Sequence, residues 1–90
     1  ASKTSKEKQQ WAQQQAYIAL GTFLTAAATL ELDSCPMTGF DSKAYDEVLG
    51  LDTKGLETVA IAALGYRSIN DSSALQEKVR FDYDDVVISI

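Results

Sequence analysis

Residues 6–30 read KEKQQWAQQQAYIALGTFLTAAATL, and this stretch decides the fold. Trp11, Gln14 or Gln15, Ile18, Phe23, Ala27 and Leu30 recur at helical spacing, which predicts one long helix over residues 6–30. Its first half is polar with an isolated Trp, and its second half, from Ala16 to Leu30, is apolar nearly all round. Such a helix begins at a surface and runs into a core. The apolar run, about 15 residues, falls short of the roughly 20 that span a bilayer, and Thr22, Thr25 and Thr29 interrupt it, so a buried core helix is expected rather than a membrane span. Ala19, Gly21, Ala26, Ala27 and Ala28 are small enough to admit a second element at close range.

Outward from that helix, Glu31 to Ser34 form its end, and Cys35-Pro36-Met37-Thr38-Gly39-Phe40-Asp41 is expected as a loop of fixed shape. Pro36 forces Cys35 toward extended geometry, and Gly39 opens backbone conformations or close approaches denied to other residues. Ser42 to Leu49 reads as a short amphipathic helix capped by Asp41 or Ser42, with Tyr45, Val48 and Leu49 inward and Gly50 closing it. The apolar run from Thr58 to Tyr66 predicts a central strand covered on both faces. A polar loop follows from Ser68 to Ser73, then an alternating segment from Lys78 to Tyr83. The β-branched terminus from Val86 to Ile90 is expected to pair with a sheet edge, in another chain if none is at hand.

Composition removes whole classes of chemistry. The chain of 90 residues is 46% hydrophobic and 23% charged, the make-up of one globular unit at most rather than a disordered tail. It has no histidine and one cysteine, so neither a Ser-His-Asp nor a Cys-His catalytic set can be assembled, and the usual zinc sites lack ligands. No intrachain disulfide can form, and Cys35 reads as a small packing residue rather than a nucleophile. The net charge of −5 argues against a nucleic-acid partner, which calls for a basic face. That charge is uneven: residues 1–30 carry three lysines against one glutamate, and residues 31–90 carry five cations against twelve anions. Neither a GxGxxG nor a P-loop occurs, and the pairs Asp46-Glu47 and Asp84-Asp85 read as solvated surface. The chain opens on Ala1 and a polar run without an apolar signal segment, and is expected to be a piece of something longer.

Four blocks in order carry a resemblance. They are Trp11 with Gln15-Ala16-Tyr17-Ile18-Ala19-Leu20-Gly21 and Phe23-Leu24; Asp33-Ser34-Cys35-Pro36-Met37-Thr38-Gly39-Phe40-Asp41; Tyr45-Asp46-Glu47-Val48-Leu49-Gly50-Leu51; and Ala63-Leu64-Gly65-Tyr66-Arg67 ahead of Lys78-Val79-Arg80-Phe81. This order resembles the C-terminal part of the oxygen-insensitive NAD(P)H nitroreductases and their relatives, the flavin-dependent dihydropteridine reductases. The resemblance implies an α+β fold in which the long core helix packs on a mixed, mainly antiparallel sheet. Residues 1–90 would be the C-terminal part of a single domain whose earlier segment carries further phosphate and ring contacts. The C-terminal extension would add a strand to the partner subunit's sheet.

The resemblance further implies a cytoplasmic homodimeric oxidoreductase, with FMN at the subunit interface and NAD(P)H as co-substrate. Two electrons would pass by a ping-pong route to nitroaromatics, quinones or similar acceptors. Carried over by position, Pro36, Met37, Thr38 and Gly39 would line the isoalloxazine, with the Thr38 or Gly39 N–H aimed at flavin N5, while Lys78 and Arg80 would grip the FMN phosphate. No side chain need act as acid or base, and no metal is implied. Thr38 departs from the family pattern, which usually has glutamate there; the backbone donor stays and the charge is lost. The alternatives are a dihydropteridine or other flavin reductase on the same scaffold, or a piece that serves only in dimerisation.

Overall fold

The computed structural model describes residues 4–90. Helix α1 spans Ser5–Thr29, one residue ahead of the expected span at each end. Thr4 caps it, its Oγ1 accepting from the Glu7 N–H at 3.1 Å, so that one of the orphan donors of the first turn is satisfied. At the other end the Leu32 N–H reaches Ala27 O at 2.9 Å and the Glu31 N–H reaches Ala28 O at 3.0 Å, with Leu30 as the cap. This closing turn requires a left-handed residue after the cap, and Glu31 takes it at φ 61°. Lys3, one of the N-terminal lysines counted above, lies outside the described residues.

Along α1 the hydroxyls of Thr22, Thr25 and Thr29 donate to the carbonyls of Ile18, Gly21 and Thr25 at 3.2, 3.1 and 2.9 Å. The threonines read as interruptions of an apolar run therefore hold their hydroxyl protons against their own helix.

β1 (Asp33–Met37) pairs antiparallel with β2 (Ile61–Gly65), in register from Asp33 opposite Gly65 to Met37 opposite Ile61. Between them lie α2 (Ser42–Leu49) and a 3-10 turn at Asp52–Lys54; after β2 come a second 3-10 turn at Ser72–Leu75 and the single turn α3 (Tyr83–Val86). α1 rests against β1. The class is α+β, with a small sheet of two antiparallel strands in place of the larger mixed sheet expected.

Several expectations are corrected here. Cys35, Pro36 and Met37 are strand rather than loop, and Asp33 and Ser34 begin that strand rather than end the helix. Pro36 is tolerated because β1 has β2 on one side only among the described residues, so a missing N–H need not break a second ladder. The strand expected from Thr58 to Tyr66 is regular only over Ile61–Gly65 and is not covered on both faces, since Ala63, Leu64 and Gly65 are exposed. Lys78 to Tyr83 forms no ladder, and Val86 ends a helical turn favoured by Asp84 and Asp85 near its N-terminus.

α2 matches its expected span. Asp41 Oδ1 accepts from the Ala44 N–H at 3.2 Å, and Gly50 closes the helix at φ 67°. Its expected inward residues are nevertheless open: Val48 is 86% exposed. So is most of the long helix, where Ala27 is the one buried residue among those described. The radius of gyration, 17.0 Å, exceeds the roughly 12 Å of a close-packed chain this long. The described residues thus form a scaffold with apolar faces on view rather than a unit around its own core.

Candidate functional site

Pro36 and Met37 close β1, Thr38 and Gly39 follow as irregular chain, and Phe40 and Asp41 lead into α2. This run is short because both flanking elements are fixed by local chemistry, the strand by its ladder and the helix by the Asp41 cap. Pro36 through Gly39 are all exposed.

Gly39 does not occupy the left-handed region, and nothing lies within 4 Å of where a Cβ would stand. Neither its backbone conformation nor packing within the described residues calls for glycine. The N–H groups of Thr38 and Gly39 have no hydrogen-bond acceptor among the described residues. Two adjacent donors without an acceptor among the described residues, beside a glycine with nothing within 4 Å of its Cβ position, leave room for a ligand bearing an acceptor atom at its edge, as an isoalloxazine does at N5.

Two side-chain clasps flank this run. The Asp33 carboxylate accepts from the Arg67 backbone N–H and from Nε, both at 2.9 Å, and from Nη2. These bonds, the guanidinium contact foremost, hold the Asp33 carboxyl below its ordinary value of 3.8, and they make Arg67 still more firmly protonated. Asp46 Oδ1 on α2 accepts from the Thr58 N–H at 2.8 Å and from its hydroxyl at 2.6 Å. The pair Asp46-Glu47, read as surface, thus includes a half-buried acceptor. The Phe40 ring meets Tyr45 edge to face with centroids 5.1 Å apart.

The remaining expected site residues lie elsewhere. Lys78 and Arg80 are exposed in irregular chain after the second 3-10 turn. Arg80 Nη1 donates to the carbonyl of its neighbour Val79 at 2.8 Å, and Lys78 makes no ion pair among the described residues. Nothing in the described residues brings the two cations to the Pro36–Gly39 run. Both retain donors for an anion such as a phosphate. Cys35, expected to pack, is exposed in β1. An open apolar trough lies beyond β2, between Leu20 and Phe23 of α1 and the residues Leu49, Leu51, Val59 and Ile61. None of the described helices is long and apolar enough to cross a membrane.

Asp33, Arg67, Asp46 and Thr58 escape a reading by pattern. Asp33 and Arg67 stand 34 positions apart and are brought together by the strand register, whereas Asp46 and Thr58 stand 12 apart across the turn that follows α2.

The sequence profile of the nitroreductase family matches residues 1–66, and the chain belongs to that family. The chain is similar to the oxygen-insensitive NAD(P)H nitroreductase of Enterobacter cloacae, 33% identical over 82 residues that take in 91% of this chain and 38% of that protein. It is similar also to the protein of the same name from Salmonella typhimurium, 31% identical over 85 residues, or 94% of this chain and 39% of that one. The chain spans about two-fifths of the length of these curated relatives.

Proposed function

We propose that this chain is the C-terminal part of a cytoplasmic, homodimeric, FMN-dependent oxidoreductase that uses NAD(P)H to reduce nitroaromatics, quinones or similar acceptors. The observation that carries the reading is the pair of unaccepted N–H donors at Thr38 and Gly39, beside a glycine that nothing within the described residues requires. Membership of the nitroreductase family supports it.

Bound there, FMN would supply the hydride chemistry, accepting from the reduced nicotinamide and delivering to the acceptor. The chain's own work is binding and orientation. Pro36 and Met37 bring the chain up along the ring from the end of β1, and the Thr38 and Gly39 N–H groups set its edge. Lys78 and Arg80 would hold the phosphate through charge-assisted bonds. The lack of histidine is no obstacle, since no side chain need transfer a proton. The β-branched end from Val86 to Ile90 would extend a partner subunit's sheet.

A second reading, a dihydropteridine or other flavin reductase, is favoured by one residue. Thr38 puts an uncharged hydroxyl where the resembled pattern has a carboxylate. Steady-state assays of the intact protein with a nitroaromatic and with a quinonoid dihydropteridine separate the two, and turnover of the pteridine alone would sink the nitroreductase reading. Thr38→Glu is expected to change reductant preference or rate; unchanged kinetics would remove Thr38 from the site. A purified protein that takes up no FMN would leave only the third reading, a piece that acts in dimerisation.

A further inference from the structure

β1 and β2 pair only with each other, so each keeps one edge without a neighbour among the described residues. The two edges are not equal. Opposed residues of an antiparallel ladder alternate between pairs that exchange both backbone bonds and pairs whose N–H and C=O groups point away from each other. Pro36 stands opposite Ala62 with no N–H to exchange, and the ladder runs on past it to Met37 and Ile61. Pro36 and Ala62 are therefore a pair of the second kind, as are Ser34 and Leu64 two positions away. The outer edge of β1 presents the Ser34 N–H and no donor at Pro36, which is how an edge is blunted against a further strand. The outer edge of β2 presents both the N–H and the C=O of Ala62 and of Leu64, and none of these four groups has a partner among the described residues.

The apolar trough runs beside that open edge. Its walls include Val59, Ile61 and Ala62 on one side and Ala16, Leu20 and Phe23 of α1 on the other, and no residue of β1 lines it. Donors and acceptors spaced two residues apart along an apolar surface are met by an extended strand, whose backbone satisfies the edge while alternate side chains enter the trough. A small polar ligand would leave the walls in water, and a hydrocarbon would leave the edge groups unpaired.

Two sources of such a strand compete. The stretches matched to the two nitroreductases take in 91% and 94% of this chain but 38% and 39% of those proteins, so about three-fifths of each relative lies outside the match. The other source, the end from Val86 to Ile90 of a second copy, would arrive behind Asp84 and Asp85, and Glu57 already stands at the trough. Like charges brought together there disfavour it. We propose that the outer edge of β2 and the trough beside it are the seat of an apolar strand from the part of this protein outside these 90 residues. This rests on the reading of the chain as part of a longer protein. The sheet then grows from β2, and Leu20 and Phe23 pass from open surface into a core.

The test uses the intact protein, its mass measured first. Amide hydrogen exchange at Ala62 and Leu64 should be slow, within about tenfold of Ala63, whose N–H lies in the ladder with Cys35; amides on a bare edge exchange roughly a hundredfold faster or more. The photoreactive residue p-benzoylphenylalanine, placed at Leu49 and in a second variant at Val59, lies at the trough. On irradiation it should link to a peptide of the same chain outside these 90 residues, leaving the mass on a denaturing gel that of one chain.

Fast exchange at Ala62 and Leu64 would overturn the proposal, as would links that double the mass, links that all end within these residues, or none from either position. Should the Val59 variant fail to fold, Leu49, which is 57% exposed, decides by itself. An intact mass no greater than that of these residues alone would sink the reading of a longer protein and the occupant with it, whereas fast exchange in a longer protein sinks the seat alone.

Discussion

Two substitutions at matching backbone conformations should move stability in opposite directions. Gly50, after α2, stands at φ 67°, and Glu31, after α1, stands at φ 61°; both close their helices in the left-handed region. An L-residue there costs about 1–2 kcal/mol through Cβ crowding. Against this, replacing glycine by alanine restricts the unfolded chain and recovers about 0.4–1 kcal/mol. Packing is silent at Gly50, since nothing lies within 4 Å of an added Cβ, and Glu31 is exposed with no described side-chain bond. Gly50→Ala should therefore destabilise by about 1 kcal/mol, and Glu31→Gly should stabilise by about the same amount. In a protein of 150–250 residues each corresponds to a shift of about 2–4 °C, downward for Gly50→Ala and upward for Glu31→Gly. Gly50→Asn, which tolerates this region, should fall between alanine and glycine. Thermal and urea melts followed by far-ultraviolet circular dichroism measure all three. Shifts of the same sign for the first two, or a neutral Gly50→Ala, would refute the reasoning from φ.

The remaining expectations concern charge. Lys78→Ala and Arg80→Ala should each weaken FMN retention by roughly ten- to a hundredfold, the worth of a charge-assisted bond, and unchanged flavin occupancy on gel filtration would return both to ordinary surface. For Asp33, the carboxyl held below 3.8 by Arg67 adds stability that is fully present above that value and is lost as pH falls through the lowered one. Melting temperature in the unaltered protein should therefore fall more steeply below pH 4 than in Asp33→Asn, and parallel curves would remove this contribution.

Local rules make α1 and α2 legible. Asp41 and Gly50 bracket α2 within ten positions, and the apolar spacing from Trp11 to Leu30 marks α1. The Thr4 cap was also within reach, because Glu7 three residues on completes a familiar start signal that the count from Lys6 overlooks. β1 is hidden from a sequence reading because proline argues for a loop unless its strand is known to have a neighbour on one side only. β2 is shorter than the apolar run from Thr58 to Tyr66 because such a run says that residues are to be covered without saying how far a ladder extends. The tail was read from alternation, which has meaning only against a partner strand, and the described residues provide none. Of the candidate site, Pro36 to Gly39 are contiguous and stand out in the sequence, whereas the Asp33–Arg67 clasp depends on a strand register, and the Asp46–Thr58 clasp on the path of the chain after α2, that no local pattern contains.

The three threonines of α1 bear on how its surface meets its surroundings. A hydroxyl that donates to the carbonyl one turn back carries its proton's partner wherever the helix goes. Removing water from that face strands no donor, and returning water to it costs less than it would for three valines. The surface can change between wet and dry at low cost in either direction. Contacts made through it would favour reversible assembly over permanent burial, with their lifetime set by the neighbouring Tyr17 and Ile18 rather than by the threonines.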